Sequence, residues 1–315
     1  MAQLTVDPVN YTDTTAWALL ITNAYDKAVE FKRWELPLFK QFFNKKVVSP
    51  TNDSNTFVFT MHNNLASSTT PLSEDTSPSA LAVSAPTRIS VTVNEYGAYL
   101  VDTVRLEKTS FTAPDEQIVT LLARQQGDTL DKLAVGILDA GTNVKRSAGR
   151  ASTVTIAAGD NFNSALVRNS RTTMDRSLNI PLGGGDQFMT IAHPDQLFDL
   201  KSESGTNVWS TPHVYQDTAN IYSGEVGSYM GMRFVQSTRS TIQSGAGAAG
   251  INVYNAYVIA DQAVAEVELI PPTTVLGPQV DPLRRFNTIG WKTMWGASLF
   301  RSEALLRLES ASSFV

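Results

Sequence analysis

Cysteine does not occur in the 315 residues of this chain, which removes disulfide bonds, thiolate zinc sites and thiol nucleophiles together. Histidine is scarce. His62, His193 and His213 include no pair four residues apart that would set two imidazoles on one helical face, so neither a histidine-built metal site nor any metal or other cofactor is expected. No window approaches ~20 uninterrupted apolar residues, and the opening MAQLTVDPVN lacks the basic-then-apolar run of a leader, so the expectation is a protein made and used in a cytoplasm without a membrane partner.

Catalytic signatures are missing as well. No G-x-S-x-G elbow marks a serine nucleophile, and the glycines Gly183 to Gly185 lack the Lys-Ser/Thr ending of a phosphate loop and the order of a dinucleotide fingerprint. His193-Pro194-Asp195 reads as a strand end bonded to a turn carboxylate, not as a general base. Glu266 and Glu268 share one face of a strand, where a solvated sheet surface is the expectation. An enzyme is therefore not expected. Acidic residues outnumber basic ones, for a net charge of -5, so a dedicated nucleic-acid binder is disfavoured. Locally, Lys27, Lys32, Arg33, Lys40, Lys45 and Lys46 make one stretch mildly basic, while Asp186 to Arg233 is acidic.

What the chain does contain is one long helical pattern among short strands. In Thr112 to Leu138, Thr112 suits an N-cap, Pro114 the first turn, and Asp115 and Glu116 the positive end of the dipole. Ile118, Val119, Leu122, Leu130, Leu133, Ala134, Ile137 and Leu138 follow helical spacing, with a polar break at Gln125, Gln126 and Asp128, before Gly141 ends the pattern. At ~1.5 Å per residue it would run roughly 40 Å, longer than a small domain needs.

Before it, Trp17 to Phe31 predict an amphipathic helix, and LPLFKQFFNKKV carries Leu36, Leu38, Phe39, Phe42 and Phe43 with no local element to hide them. This arm packs either on its own domain or across a neighbouring subunit. Asn55 to Met61 alternates as a strand, and Ile89, Val91 and Val93 alternate as its mate. The Ser/Thr/Pro-rich connector between them is long for a compact domain, which favours a projecting hairpin whose apolar residues are covered by another chain. The residues singled out for subunit contact are Phe39, Phe42, Phe43, Phe57, Phe59, Ile89, Val91 and Val93.

After the long helix, Asp160 to Leu178 predicts a weaker amphipathic helix, Phe188 to Ala192 a buried strand leading into a helical turn, and Met232 to Val235 a strand. Gly224 to Gly231 reads as irregular and Ser244 to Gly250 as a flexible loop tip. Strands with one wet side are expected at Ile251 to Ile259 and Ala265 to Leu269, and extended segments at Gly290 to Phe300 and Ala304 to Leu308. The class is α+β. No repeat and no linker divides the chain.

This order of parts, with SVTVNEYGAYLVDTVRLEKTSF from Ser90, FMTIAHPDQLFDL from Phe188, GEVGSYMGMRFVQST from Gly224 and DPLRRFNTIGWKTMWGASLFRSEALLRLES from Asp281, resembles the major capsid proteins of tailed bacteriophages. The resemblance implies an HK ninety-seven-like fold. Its parts would be an N-terminal arm (1–50), an extended β-hairpin loop (51–110), a peripheral domain with the spine helix (111–159), an axial domain (160–255) and returning peripheral strands (256–315). It also implies pentamers and hexamers of this chain closing into an icosahedral shell in a host bacterial cytoplasm. Such a shell would hold double-stranded DNA weakly and non-specifically, with separate scaffolding, portal and decoration proteins as further partners. No long charged helical segment precedes the arm, so no fused scaffolding region is expected. The loop tip from Asn64 to Pro86 has no lysine, so loop-tip cross-links are not expected either. The competing readings are an encapsulin-like compartment shell, a β-rich soluble hydrolase, and a phage tail or baseplate protein.

Overall fold

The computed structural model describes residues 37–47, 54–72, 74–109, 114–182, 185–203, 225–277, 283 and 285–314. The helix expected from Trp17, the Thr112 cap, and Gly183 and Gly184 lie outside them. The described chain is α+β, with four α-helices: α1 (Val104–Thr109), α2 (Pro114–Asp139), α3 (Ser164–Arg176) and α4 (Pro194–Ser202). Three sheets accompany them. One has four strands in the order β1 (Asn44–Lys45), β11 (Val264–Leu276), β12 (Phe286–Leu299) and β4 (Asn94–Thr103). A larger one runs β5 (Val144–Arg146), β13 (Leu305–Ser310), β10 (Val253–Ile259), β6 (Phe188–Ala192), β8 (Met232–Gln236) and β7 (Glu225–Tyr229), with β9 (Ile242–Gln243) beside β10. The third is the hairpin of β2 (Thr56–Met61) and β3 (Thr87–Thr92).

Helix α2 ties the two large sheets together because its apolar stripe divides at the polar break. Leu122 and Ile118 pack on Ile289 and Trp291 of β12, while Leu130, Ala134, Val135 and Leu138 enter the core of the seven-stranded sheet. At the break, Gln125 Oε1 accepts the Trp291 indole N–H at 3.2 Å, so this residue faces a strand of its own subunit. The helix end is held by Asp139. Its carboxylate accepts from Asn255 at 2.8 Å, the Tyr257 hydroxyl at 2.7 Å and Thr241 at 2.5 Å, and its carbonyl accepts from Arg307. These bonds offset the unfavourable placement of a carboxylate at the negative end of the helix dipole.

Four readings of the sequence change. Strand β10 is buried along its whole length, with no wet side, because sheet neighbours flank it and apolar layers cover both faces. Within the stretch expected to be irregular, the described residues 225–231 are ordered. They form β7 and a turn whose central residues Met230 and Gly231 both have positive φ, the geometry that matches strand twist in a two-residue hairpin. The stretch from Ser244 to Gly250 is tied down, since Gly247 N–H donates to Ile251 at 3.0 Å and Ala248 N–H to Ile156 at 2.8 Å. The C-terminal segment from residue 256 supplies strands to both large sheets, β11 and β12 to one and β13 to the other. Strand β4, part of the expected loop, instead pairs with β12 over its ten residues.

Candidate assembly surfaces

Among the described residues, no three His, Cys, Asp or Glu side chains gather as a metal site would require. His193 caps α4. Its Nδ1 accepts from the Asp195 amide at 3.3 Å, and the His193 amide donates to the Gln196 side chain at 3.2 Å. Gln196 then reaches the Tyr254 carbonyl and Ser310 Oγ, so this corner fastens α4 to β10 and β13.

Glu266 and Glu268 do not form the solvated face expected of them. Glu266 is buried and Glu268 half-buried under the arm, where Lys40 Nζ lies 3.1 Å from Glu266 and 3.2 Å from Glu268, and Lys45 Nζ 2.5 Å from Glu268. The Trp295 indole N–H completes Glu266 at 2.8 Å. Burial works to raise the pKa of Glu268, but the Lys45 hydrogen bond and the charge of Lys40 outweigh it and hold the carboxyl below its usual range. A second anchor is Asp131, which is fully buried on α2. It accepts the amides of Leu38 and Phe39 at 3.0 and 2.8 Å on one oxygen and Arg239 at 3.0 Å on the other. Burial pushes its pKa up, against those hydrogen bonds. An aspartate inside an apolar stripe was the sequence signal for such a partner.

These anchors decide where the eight contact candidates lie. Phe39, Phe42 and Phe43 sit in the main core of their own subunit, with Phe39 edge-on to Tyr257 at 6.0 Å between ring centres. Phe57, Val91 and Val93 pack with Ala265 and Val267 in a smaller core, Phe59 packs against that core, and Ile89 is half-buried. The structure thus satisfies most of this apolar surface internally. Of the two positions open to the arm, residues 38–43 take the one on their own domain.

The apolar surface left uncovered lies elsewhere. The described residues between 62 and 86 have no regular secondary structure, and Leu65, Leu72, Leu81 and Val83 stand exposed along them. At the distal end of the four-stranded sheet, Tyr99 is 71% exposed, Leu276 76% and Val101 55%. Residues Gly97, Tyr99, Thr288, Gly290, Val275 and Gly277 line an open groove on the sheet face away from the Trp291 side chain and α2. The floor is glycine by necessity. A Cβ at Gly97 would lie 2.6 Å from the Trp291 carbonyl, and one at Gly290 2.8 Å from the Ala98 carbonyl.

The architecture has solved counterparts. The capsid of cyanophage Pam1 superposes with a TM-score of 0.74 over 100% of both chains at 13% identity. The capsid of Ralstonia phage GP4 gives 0.74 over 99% of both chains at 10% identity. The fold is that of phage capsid proteins. A third such structure, the acid-stable capsid of Helicobacter pylori bacteriophage KHP30, matches at 0.66 over 98% of this chain and 100% of that one, with 14% identity. No family model and no curated protein matches the sequence. The α+β chain thus has an HK ninety-seven-like fold.

Proposed function

We propose that this chain is the major capsid protein of a tailed bacteriophage. Copies of it assemble into pentamers and hexamers that close as an icosahedral head around double-stranded DNA. The observation that carries this reading is the end-to-end likeness to capsid chains, with 100% of each chain covered. The exposed surface supports it. A hairpin with four uncovered apolar side chains beyond its paired strands gains stability only when another chain covers them, and many such contacts around a closed shell add up by mass action. Catalysis has no part in this role.

The arm before residue 50, the loop through residue 110, the peripheral and axial regions, and assembly in the host cytoplasm follow from the same reading. DNA is held by enclosure, not by specific contacts, and scaffolding, portal and decoration proteins are separate chains. Electron microscopy of the purified protein tests the proposal. Closed isometric shells are expected, and a solution of monodisperse monomers or open tubes would refute it.

A further inference from the structure

The two larger sheets have four edges, and three are blunted in ways that discourage pairing with another chain. On the first sheet, among the described residues, β1 covers only Ala265 and Glu266 of β11. The rest of that edge carries Pro271, Pro272 and two register shifts. On the second, β5 is three residues long, and β7 is broken by a bulge between Glu225 and Gly227. The fourth edge is β4. It pairs with β12 in unbroken register from Asn94↔Trp295 to Thr103↔Phe286, and no strand lies on its other side among the described residues. Its sequence, NEYGAYLVDT, has no lysine, arginine or proline. Its centre is apolar on both faces, with Tyr99 and Val101 exposed on one and Leu100 on the other. A long, regular, apolar edge of this kind is a template for another strand.

We propose that β4 pairs antiparallel with β4 of a second copy of this chain, about a two-fold axis through Tyr99. Self-pairing requires only that the strand complement itself, and this register does so by size and by charge. Around Tyr99, Val101 of one copy falls opposite Gly97 of the other, and Leu100 opposite Ala98, so each large side chain meets a small one. Glu95 falls opposite Thr103 and Asp102 opposite Tyr96, which keeps like charges apart. Moving the axis by half a residue, to lie between Ala98 and Tyr99, would set Glu95 against Asp102. The Tyr99 face of β4 borders the glycine-floored groove, so the paired strands extend that groove across both copies. The inference rests on the shell reading and deepens it, because it names the strand by which two subunits meet.

The absence of cysteine makes the test clean. Tyr99→Cys and the double variant Ala98→Cys/Leu100→Cys are assembled, oxidised and run on a non-reducing denaturing gel. Facing residues in an antiparallel pair alternate between hydrogen-bonded and non-hydrogen-bonded positions, so one of the two variants places its thiols at the closer spacing. More than about half of the subunits of that variant should run as covalent dimers, while Thr273→Cys on the blunted edge remains monomeric. Tyr99 is largely exposed, and an unchanged circular dichroism spectrum shows that the fold is kept. Shells without cross-links in either variant overturn the β4 pairing and leave the shell reading standing. Cross-linked dimers that never close into shells keep the pairing and overturn the shell.

Discussion

Replacing Asp131 by alanine tests how the arm is held. The carboxylate is fully buried and serves three donors from two other parts of the chain: the Leu38 and Phe39 amides and the Arg239 guanidinium. Arg239 keeps Asp128 at 3.2 Å in the variant, so its charge is not abandoned, but its shorter bond is lost. Breaking a buried pair by removing one partner costs about 3–5 kcal/mol. Orphaned buried amides cost ~1–3 kcal/mol each where water cannot reach them. Because the groups share one network, the penalties do not add in full, and about 4 kcal/mol is the expected loss. In a chain of this size ~1 kcal/mol moves the melting temperature by roughly 2 °C, so a drop on the order of 8 °C should appear by differential scanning calorimetry of the soluble subunit. Limited proteolysis should show a new cut between residues 37 and 47. A melting temperature within about 1 °C of the parent would mean that Asp131 does not hold the arm, and the argument from its three donors would fail.

Other perturbations reach other joints. Gly296→Val on β12 would place a Cβ 2.3 Å from the Thr92 carbonyl, so it should lift the β2–β3 hairpin off the sheet and raise amide exchange in Phe57 to Met61 while leaving β10 protected. Leu130→Pro removes a helix bond and clashes one turn back, at ~3 kcal/mol or more, where α2 enters the larger core. Insoluble protein or a soluble monomer without shells is the outcome that size exclusion should record, and normal particles would mean that α2 is not the strut described.

Acid should weaken the subunit in stages. The folded pKa of Glu268 is depressed, so its contribution is complete above 4.5 and is lost as pH falls through its lower folded value. Asp160, whose carboxyl Arg150 holds below its ordinary value of 3.8, likewise loses its contribution as pH falls through its depressed folded value. Asp131 has the opposite sign, since its raised pKa means that its ionised form is disfavoured by folding and acid relieves that cost. Glu268→Gln should therefore flatten the decline that the melting temperature of the parent shows below pH 4.5.

Periodicity made the long elements legible. α2 emerged within two residues of its expected start and one of its end, β2 lay close to where alternation placed it, and β6 and β8 lay close to the strands expected at Phe188 to Ala192 and Met232 to Val235. Asn163, which caps α3 by accepting from Leu166 at 2.9 Å, sits inside a segment expected to be helical from Asp160. Strand β4 escaped because glycine and alanine at 97 and 98 break its apolar alternation, and its place is dictated by β12, almost two hundred residues later. The arm was ambiguous for a different reason. Its apolar residues demand cover in either reading, and only Asp131, Glu266 and Glu268, far along the chain, decide that the cover is intramolecular. Charge pairing across such separations leaves no periodic trace.

Strand β13 sits between β5 and β10, well inside its sheet, although it is the last strand of the described chain to be synthesised. Until Leu305 to Ser310 emerge, β10 lacks one neighbour and the helix-end carbonyl of Asp139 lacks Arg307. A nascent subunit therefore has no completed larger sheet to offer until Ser310 has been added. Prematurely terminated chains are barred from the native form by the same gap. Synthesis itself acts as quality control, admitting to higher-order structure only chains translated through β13.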